Sequence, residues 1–304
     1  MSGLITKMFI FVVLMVTGYF FAKNDPTSGA FTKSASRLVI NVFMSATIIN
    51  SVLTASMDFS WGVFGQVMLA MCAAIVIPYL LSAATARILR VEREHRAGFE
   101  LLMSVPNNMF IALPVVEELF GSTAVFYCGM SNIPFNLILY TYGVWLLNQE
   151  QDGGKFHAKE LLNVTLLAVL VAVVLFVTQL PVPKAFKDLI GAMAGGTMPL
   201  SMIVIGASLS TVSLFDAFRN WRFYVATFFK LLAAPLLVWL VCGFLTADPV
   251  LRATAMITAA APSAVVVTVL TIKYNGDAIF TSEGILHSTC LSMLTIPLLV
   301  YFLV

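Results

Sequence analysis

Charge is what this chain has least of. Only 11% of its 304 residues are Asp, Glu, Lys or Arg, against about 25% in soluble domains, while 60% are hydrophobic. Mean hydropathy is +0.96. So few polar groups cannot cover a water-soluble globule, which excludes a cytosolic enzyme, a secreted disulfide scaffold and a disordered chain. Cysteine is scarce and scattered: Cys72, Cys128, Cys242 and Cys290 each lie inside an apolar stretch, with no CxxC or Cys/His spacing to suggest a disulfide or zinc. Catalytic motifs are missing too. There is no HExxH, GxSxG or phosphate-binding loop, and no nucleophile with a base beside it. A net charge of +2 gives a nucleic acid no electrostatic hold.

What is present is a succession of long apolar runs. Ten segments stand out, over about 4–22, 38–55, 62–86, 97–119, 122–148, 161–180, 186–211, 222–245, 250–272 and 281–303. A membrane-spanning helix needs about 20 such residues, so the expected fold is all-α and polytopic, with ten transmembrane helices and no separate soluble domain. Barrel strands would alternate apolar and polar residues, which these runs do not. The first run carries no small-residue cleavage site and reads as a retained span rather than a signal peptide. Twelve Lys and Arg fall in the odd-numbered loops, against four in the even loops and the amino terminus. Positive loops stay cytoplasmic, so both termini are expected on the outer face.

The halves carry related punctuation. Pro114 in segment four and Pro262 in segment nine are 148 residues apart, and Ser45 in segment two and Pro199 in segment seven are 154 apart. Five spans per half is an odd number, so a repeat of this kind enters the membrane from opposite sides, an arrangement typical of secondary transporters. The expected organisation is a first five-helix repeat over 1–148, a cytoplasmic linker over 149–160 and a second repeat over 161–304.

Polar residues inside the apolar runs mark the candidate site. Asn107 and Asn108 lie between Pro106 and Pro114. An amide in hydrocarbon needs partners, either as helix-packing glue or because the helix breaks there and its free N–H groups face an anion. Segment nine offers a counterpart in Ala259-Ala260-Ala261-Pro262-Ser263, where small residues allow close approach. Asn132 and Asn136 share a helix face in segment five, with Asn136 the better candidate to face a pocket. Lys230, about 12 Å into segment eight by helix rise, either snorkels to the interface or partners an anionic substrate. His287 is either an interfacial histidine or the carrier of a coupling proton. Glu100, Glu117 and Glu118 are expected at the interfaces.

These motifs, in order, resemble the auxin efflux carrier family, including bacterial members that act as malonate or other organic-acid permeases. The resemblance rests on Asn107 followed by Phe110-Ile111-Ala112-Leu113-Pro114 and Phe120-Gly121, on Pro199-Leu200 and Gly206-Ala207-Ser208-Leu209, on Ala259-Ala260-Ala261-Pro262 with Lys273-Tyr274, on Ser288-Thr289, Ser292 and Pro297, and on Arg37 before segment two. It implies that helices 1, 2, 6 and 7 form a scaffold, often dimeric. Helices 3–5 and 8–10 form a moving domain, with broken helices four and nine crossing. Asn107 and the backbone around Pro114 and Pro262 would line the substrate site, with Ser45 facing it. The chain departs from the family at Ser45, usually proline, which predicts a straighter segment two. It departs again at Met109, usually a small residue. Plant members carry an acidic and a basic residue in segment three, whereas residues 62–86 hold no charge, which leaves a proton no such pair to couple through.

The resulting expectation is a secondary carrier of a small mono- or dicarboxylate in a bacterial inner membrane. It would need no cofactor and would use Na⁺ or H⁺ as coupling ion if any. An anion channel or a substrate-sensing receptor of the same fold is the alternative.

Overall fold

The computed structural model describes residues 2–23, 25, 28–54, 60–148, 164–210 and 213–304. Among these residues the structure is helical apart from turns, connecting segments and one isolated β-bridge. Helix α1 (Ser2–Lys23) is followed by α2 (Ser28–Leu38), a π-helical stretch (Val39–Met44) and α3 (Ser45–Thr54), then by α4 (Trp61–Ile88). Segment four consists of α5 (Arg93–Ser104), a break, a π-helical stretch (Asn108–Ala112) and α6 (Leu113–Phe120). Segment five runs through α7 (Ser122–Met130), α8 (Asn132–Ile138), a π-helical stretch (Leu139–Gly143) and α9 (Val144–Asn148). The second half begins with α10 (Val164–Thr178), α11 (Lys184–Ala194) and α12 (Thr197–Leu209). A short helix that the apolar pattern did not predict, α13 (Leu214–Arg219), precedes α14 (Trp221–Phe228), a π-helical stretch (Phe229–Ala233) and α15 (Ala234–Leu245). The chain ends with α16 (Pro249–Ala260), a second break, α17 (Val266–Lys273) and α18 (Ala278–Leu303). The linker expected over 149–160 lies outside the described residues.

Among the described residues five helical runs are long and apolar enough to cross a membrane: Gly29–Thr54, Trp61–Ile88, Lys184–Leu209, Trp221–Leu245 and Ala278–Leu303. Phe9–Lys23 and Val164–Thr178 are shorter apolar helices. Large side chains such as Phe9, Leu80, Leu170 and Phe244 point outward, which suits hydrocarbon and not water.

Proline position decides which helices bend and which break. Pro78 and Pro297 lie inside continuous helices. Pro114 and Pro235 stand at the starts of α6 and α15, each just after a π-helical stretch. The wider turn accommodates the missing donor and the ring clash without ending the helix. Segment two corrects the expectation of a straighter helix. It has no proline there, yet it carries a π-helical stretch immediately before Ser45, whose hydroxyl donates to the Ile40 carbonyl at 3.2 Å.

Packing divides the helices unevenly. Helix α1 lies along α12 at backbone contact: a Cβ at Gly18 would overlap the carbonyl of Ile203, and one at Gly206 that of Met15. Segment two joins segment seven through Thr47 and Thr197, whose hydroxyls are 2.6 Å apart. A separate apolar cluster includes Tyr79, Phe99, Leu101, Leu146, Phe223, Val267 and Phe280, and all its members come from segments three, four, five, eight, nine and ten or the turns beside them. The four cysteines are free.

The glycine contact sets a first prediction. G206A, which must push α1 off α12, is expected to lower stability by about 1–3 kcal/mol. G65A, where the added methyl meets nothing within 4 Å, should be neutral or stabilising by up to about 1 kcal/mol. Thermal unfolding of both variants in detergent checks the pair.

Candidate functional site

Both breaks arise from the same local chemistry. The residue before a proline is pushed out of the α region by the ring. Val105, before Pro106, is extended at φ −89°, ψ 104°, and Ala261, before Pro262, is extended at φ −60°, ψ 139°. Each break frees backbone groups that hydrocarbon cannot solvate. The two breaks then satisfy one another. Asn107 N donates to the Pro262 carbonyl at 2.7 Å, Ala264 N donates to the Val105 carbonyl at 3.1 Å, and Pro106 and Ser263 form an antiparallel bridge. Pro106, not Pro114, is therefore the proline that interrupts segment four; Pro114 is buried within the helix that follows.

Side chains close most of what remains. The last carbonyls of a helix have no partner within it. At the end of α5, Leu101 O accepts from Val105 N and Leu102 O accepts from Ser263 Oγ at 2.5 Å. Met103 O and Val105 O each accept from Lys230 Nζ at 3.2 Å. Ser263 N in turn donates to Ser288 Oγ at 3.1 Å. Lys230 is 2% exposed, so it does not snorkel; it turns inward from the π-helical stretch of segment eight. Together with Leu102, Phe223, Thr227, Ser263, Gly284 and Ser288 it lines a cavity of ≈10 Å³, room for about one water.

The asparagines form the other side. Asn107 Oδ1 caps the following π-helical stretch by accepting from Phe110 N at 3.3 Å, and among the described residues its Nδ2 has no hydrogen-bond partner. Asn108 Nδ2 donates to Ser131 Oγ at 3.0 Å. Asn132 Nδ2 donates to the Gly129 carbonyl at 2.9 Å and reaches Met109 Sδ at 3.5 Å, so the bulk of Met109 is packed against segment five. Asn136 Nδ2 donates to the Asn132 carbonyl at 2.8 Å and is buried with it. A weak sulfur-mediated chain links segments four, five and nine, from Thr258 Oγ1 to Cys128 Sγ at 3.8 Å and from Cys128 Sγ to the Asn108 carbonyl at 3.9 Å. Ser45 is buried on segment two, its hydroxyl held by Ile40.

Two further polar residues are buried inside the protein. His287 is 0% exposed. Its Nδ1 lies 2.9 Å from Thr227 Oγ1, and its ring is boxed by Phe218, Phe223 and Tyr224. Among the described residues its Nε2 has no partner. Glu100 is also buried, at 1% exposure, where it accepts from Arg96 Nε at 2.9 Å and Tyr142 Oη at 3.0 Å. A hydroxyl and a guanidinium together satisfy a carboxylate inside the fold. Glu92, outside the apolar segments, accepts from Arg222 at the start of segment eight at 2.8 Å, which holds its carboxyl below the usual carboxylate range. Among the described residues no three His, Cys, Asp or Glu side chains gather as a metal site would need.

An apolar helical protein whose two broken helices meet among amides, hydroxyls and one lysine belongs to the class of membrane proteins that handle polar solutes. The chain is a member of the family described as membrane transport protein, an auxin-efflux-carrier-like family, with residues 4–163 and 153–300 matching. It is similar to an uncharacterized transporter of Methanothermobacter thermautotrophicus, 24% identical over 94% of both chains. It is also similar to an uncharacterized transporter of Methanocaldococcus jannaschii, 22% identical over 95% of both. Family and relatives put the chain among transporters rather than enzymes.

The cross-break serine is open to test. S263A leaves the Leu102 carbonyl buried without its partner, and a loss of about 1–3 kcal/mol is expected. T17V removes an exposed hydroxyl that only bonds back to Val13 O on its own helix, and should stay within about 0.5 kcal/mol. Equal thermal stability of the two variants would contradict the assigned role of Ser263.

Proposed function

We propose that this chain is a secondary carrier of a small organic anion, a mono- or dicarboxylate such as malonate, bound where the two helix breaks meet. The observation that carries the reading is the pairing of the Val105–Asn107 and Pro262–Ala264 backbones in a chain of a membrane transport family. The half-helix that starts at Asn108 presents its positive end there, and among the described residues Asn107 Nδ2 is a donor with no acceptor. Asn108, Asn136, Ser45 and the backbone around Pro114, Pro262 and Ser263 complete the surroundings of the site.

The carrier works by alternating access. Ten membrane helices form two inverted five-helix repeats, 1–148 and 161–304. Segments three to five and eight to ten move, elevator-like, against a scaffold of segments one, two, six and seven. Support for that division comes from the apolar cluster confined to the first group and from the backbone contact of α1 with α12 in the second. The protein is a homodimer through the scaffold, in a bacterial inner membrane, with both termini on the non-cytoplasmic side.

The test is ligand-dependent stability. A ligand that binds only the folded protein adds about 2.7 kcal/mol at a hundredfold excess over its Kd. Among a panel of carboxylates at least one is expected to raise Tm and to support counterflow in proteoliposomes. Asn107→Ala is expected to fold and to lose both effects. A wild type indifferent to every carboxylate, or an Asn107→Ala protein that transports normally, would sink the assignment.

A further inference from the structure

Lys230 does something the carrier reading does not explain. The side-chain amine of Lys230 lies inside an apolar fold, and among the described residues no carboxylate pairs with it. Glu100, on the helix Lys230 reaches, is already bonded to Arg96 and Tyr142. His287, on the facing helix α18, turns its Nδ1 to Thr227. Among the described residues, the hydrogen bonds of the ammonium go to two backbone carbonyls, Met103 O and Val105 O. They belong to the carboxyl-terminal end of a half-helix and to the unwound residue after it.

That is the environment of a bound metal cation in a transporter. Unwound carbonyls and half-helix carboxyl ends are the groups that coordinate Na⁺ where a helix is broken. The negative end of the helix dipole adds to their attraction. Beside the ammonium stand the hydroxyls of Thr227, Ser263 and Ser288, around a cavity of ≈10 Å³. Here the cation arrives on a side chain. The π-helical stretch Phe229–Ala233 inserts one extra residue into the turn, a distortion frequent at functional sites, and Lys230 lies on it.

We propose that Lys230 is a tethered cation, standing on the α5 break where a coupling Na⁺ would otherwise bind, so that the protein holds its site together without Na⁺. The inference deepens the carrier reading and rests on it for the meaning of the site. Its consequence is specific. Shortening the side chain should uncover a cation site that a free ion can refill, whereas a neutral side chain of similar length should block it.

The experiment is thermal unfolding of purified wild type, K230A and K230M in detergent at one pH, in NaCl, methylammonium chloride and choline chloride at equal ionic strength. Wild type is expected to unfold at the same temperature in all three, within about 1 °C. K230A is expected to unfold more than about 4 °C lower in choline and to recover at least about half of that loss, saturably, in Na⁺ or methylammonium. K230M is expected to unfold low in every salt. A wild type stabilised by Na⁺ over choline, or a K230A protein indifferent to both small cations, overturns the proposal. If K230A does not fold, K230M decides. Wild-type stability in K230M overturns the proposal, and low stability beside a cation-indifferent wild type upholds it. No carboxylate enters these measurements, so their failure is distinct from failure of the carrier reading.

Discussion

The structure depends on one constraint: backbone polar groups inside an apolar fold must be bonded to something. An unbroken helix meets it alone. A broken helix cannot, and this chain breaks two. Val105 and Ala261 are forced out of helical geometry by the prolines that follow them, and the exposed backbone groups pair across the gap instead of facing hydrocarbon. Neither interruption would be tolerable at that depth without the other. Small side chains at Ala259, Ala260 and Ala261, all fully buried, let the two backbones come within hydrogen-bonding distance.

From that pairing follows the polarity of the site. Backbone atoms at a break point in two directions: carbonyls at the end of α5, and N–H groups at the start of the stretch beginning with Asn108. The carbonyls are satisfied by Ser263 and Lys230. The amino end is capped by Asn107 Oδ1, and among the described residues the amide nitrogen of the same side chain has no hydrogen-bond partner. One side of the break is closed by the protein's own donors, and the other holds a donor that, on the carrier reading proposed above, would face an anion.

Much of this was legible in the sequence, and the parts that were not have physical causes. Apolar runs of helix length overlap the five helical runs among the described residues that are long and apolar enough to cross a membrane, and Pro106-Asn107-Asn108 and Pro262-Ser263 marked the breaks. The sequence reading gave Pro114 the weight that belongs to Pro106. Both are prolines in an apolar run, and only the backbone reveals that a π-helical stretch absorbs one of them. Segment two was read as straight for want of a proline, but the hydroxyl of Ser45 bonds back five residues and a π-helical stretch forms there without one. The burial of Lys230, His287 and Glu100 inside the protein was not legible in the sequence, for a shared reason. A titratable group in an apolar run is costly unless partnered, and the partners lie far away in sequence: Met103 and Val105 for Lys230, Thr227 for His287, Tyr142 for Glu100.

The lysine makes the site unequal. Segment eight brings a cation to the end of α5, while residues 62–86 of segment three carry no charge at all. If the two halves are related as inverted repeats, only one of the two half-helix carboxyl ends is served by a side-chain charge. The inequality has an electrostatic consequence. Helix dipoles alone offer partial charges of about half a unit, too weak to neutralise a carboxylate taken out of water. On the proposed reading, a charged Lys230 joined to Val105 O, two residues before Asn107, would change the balance: a monovalent anion bound at Asn107 would leave the site near neutrality, and an empty site would keep its positive charge. A charge inside the hydrocarbon is costly to carry across the membrane. In the carrier proposed above, a moving unit that contains a charged Lys230 would therefore be better suited to cross loaded than empty.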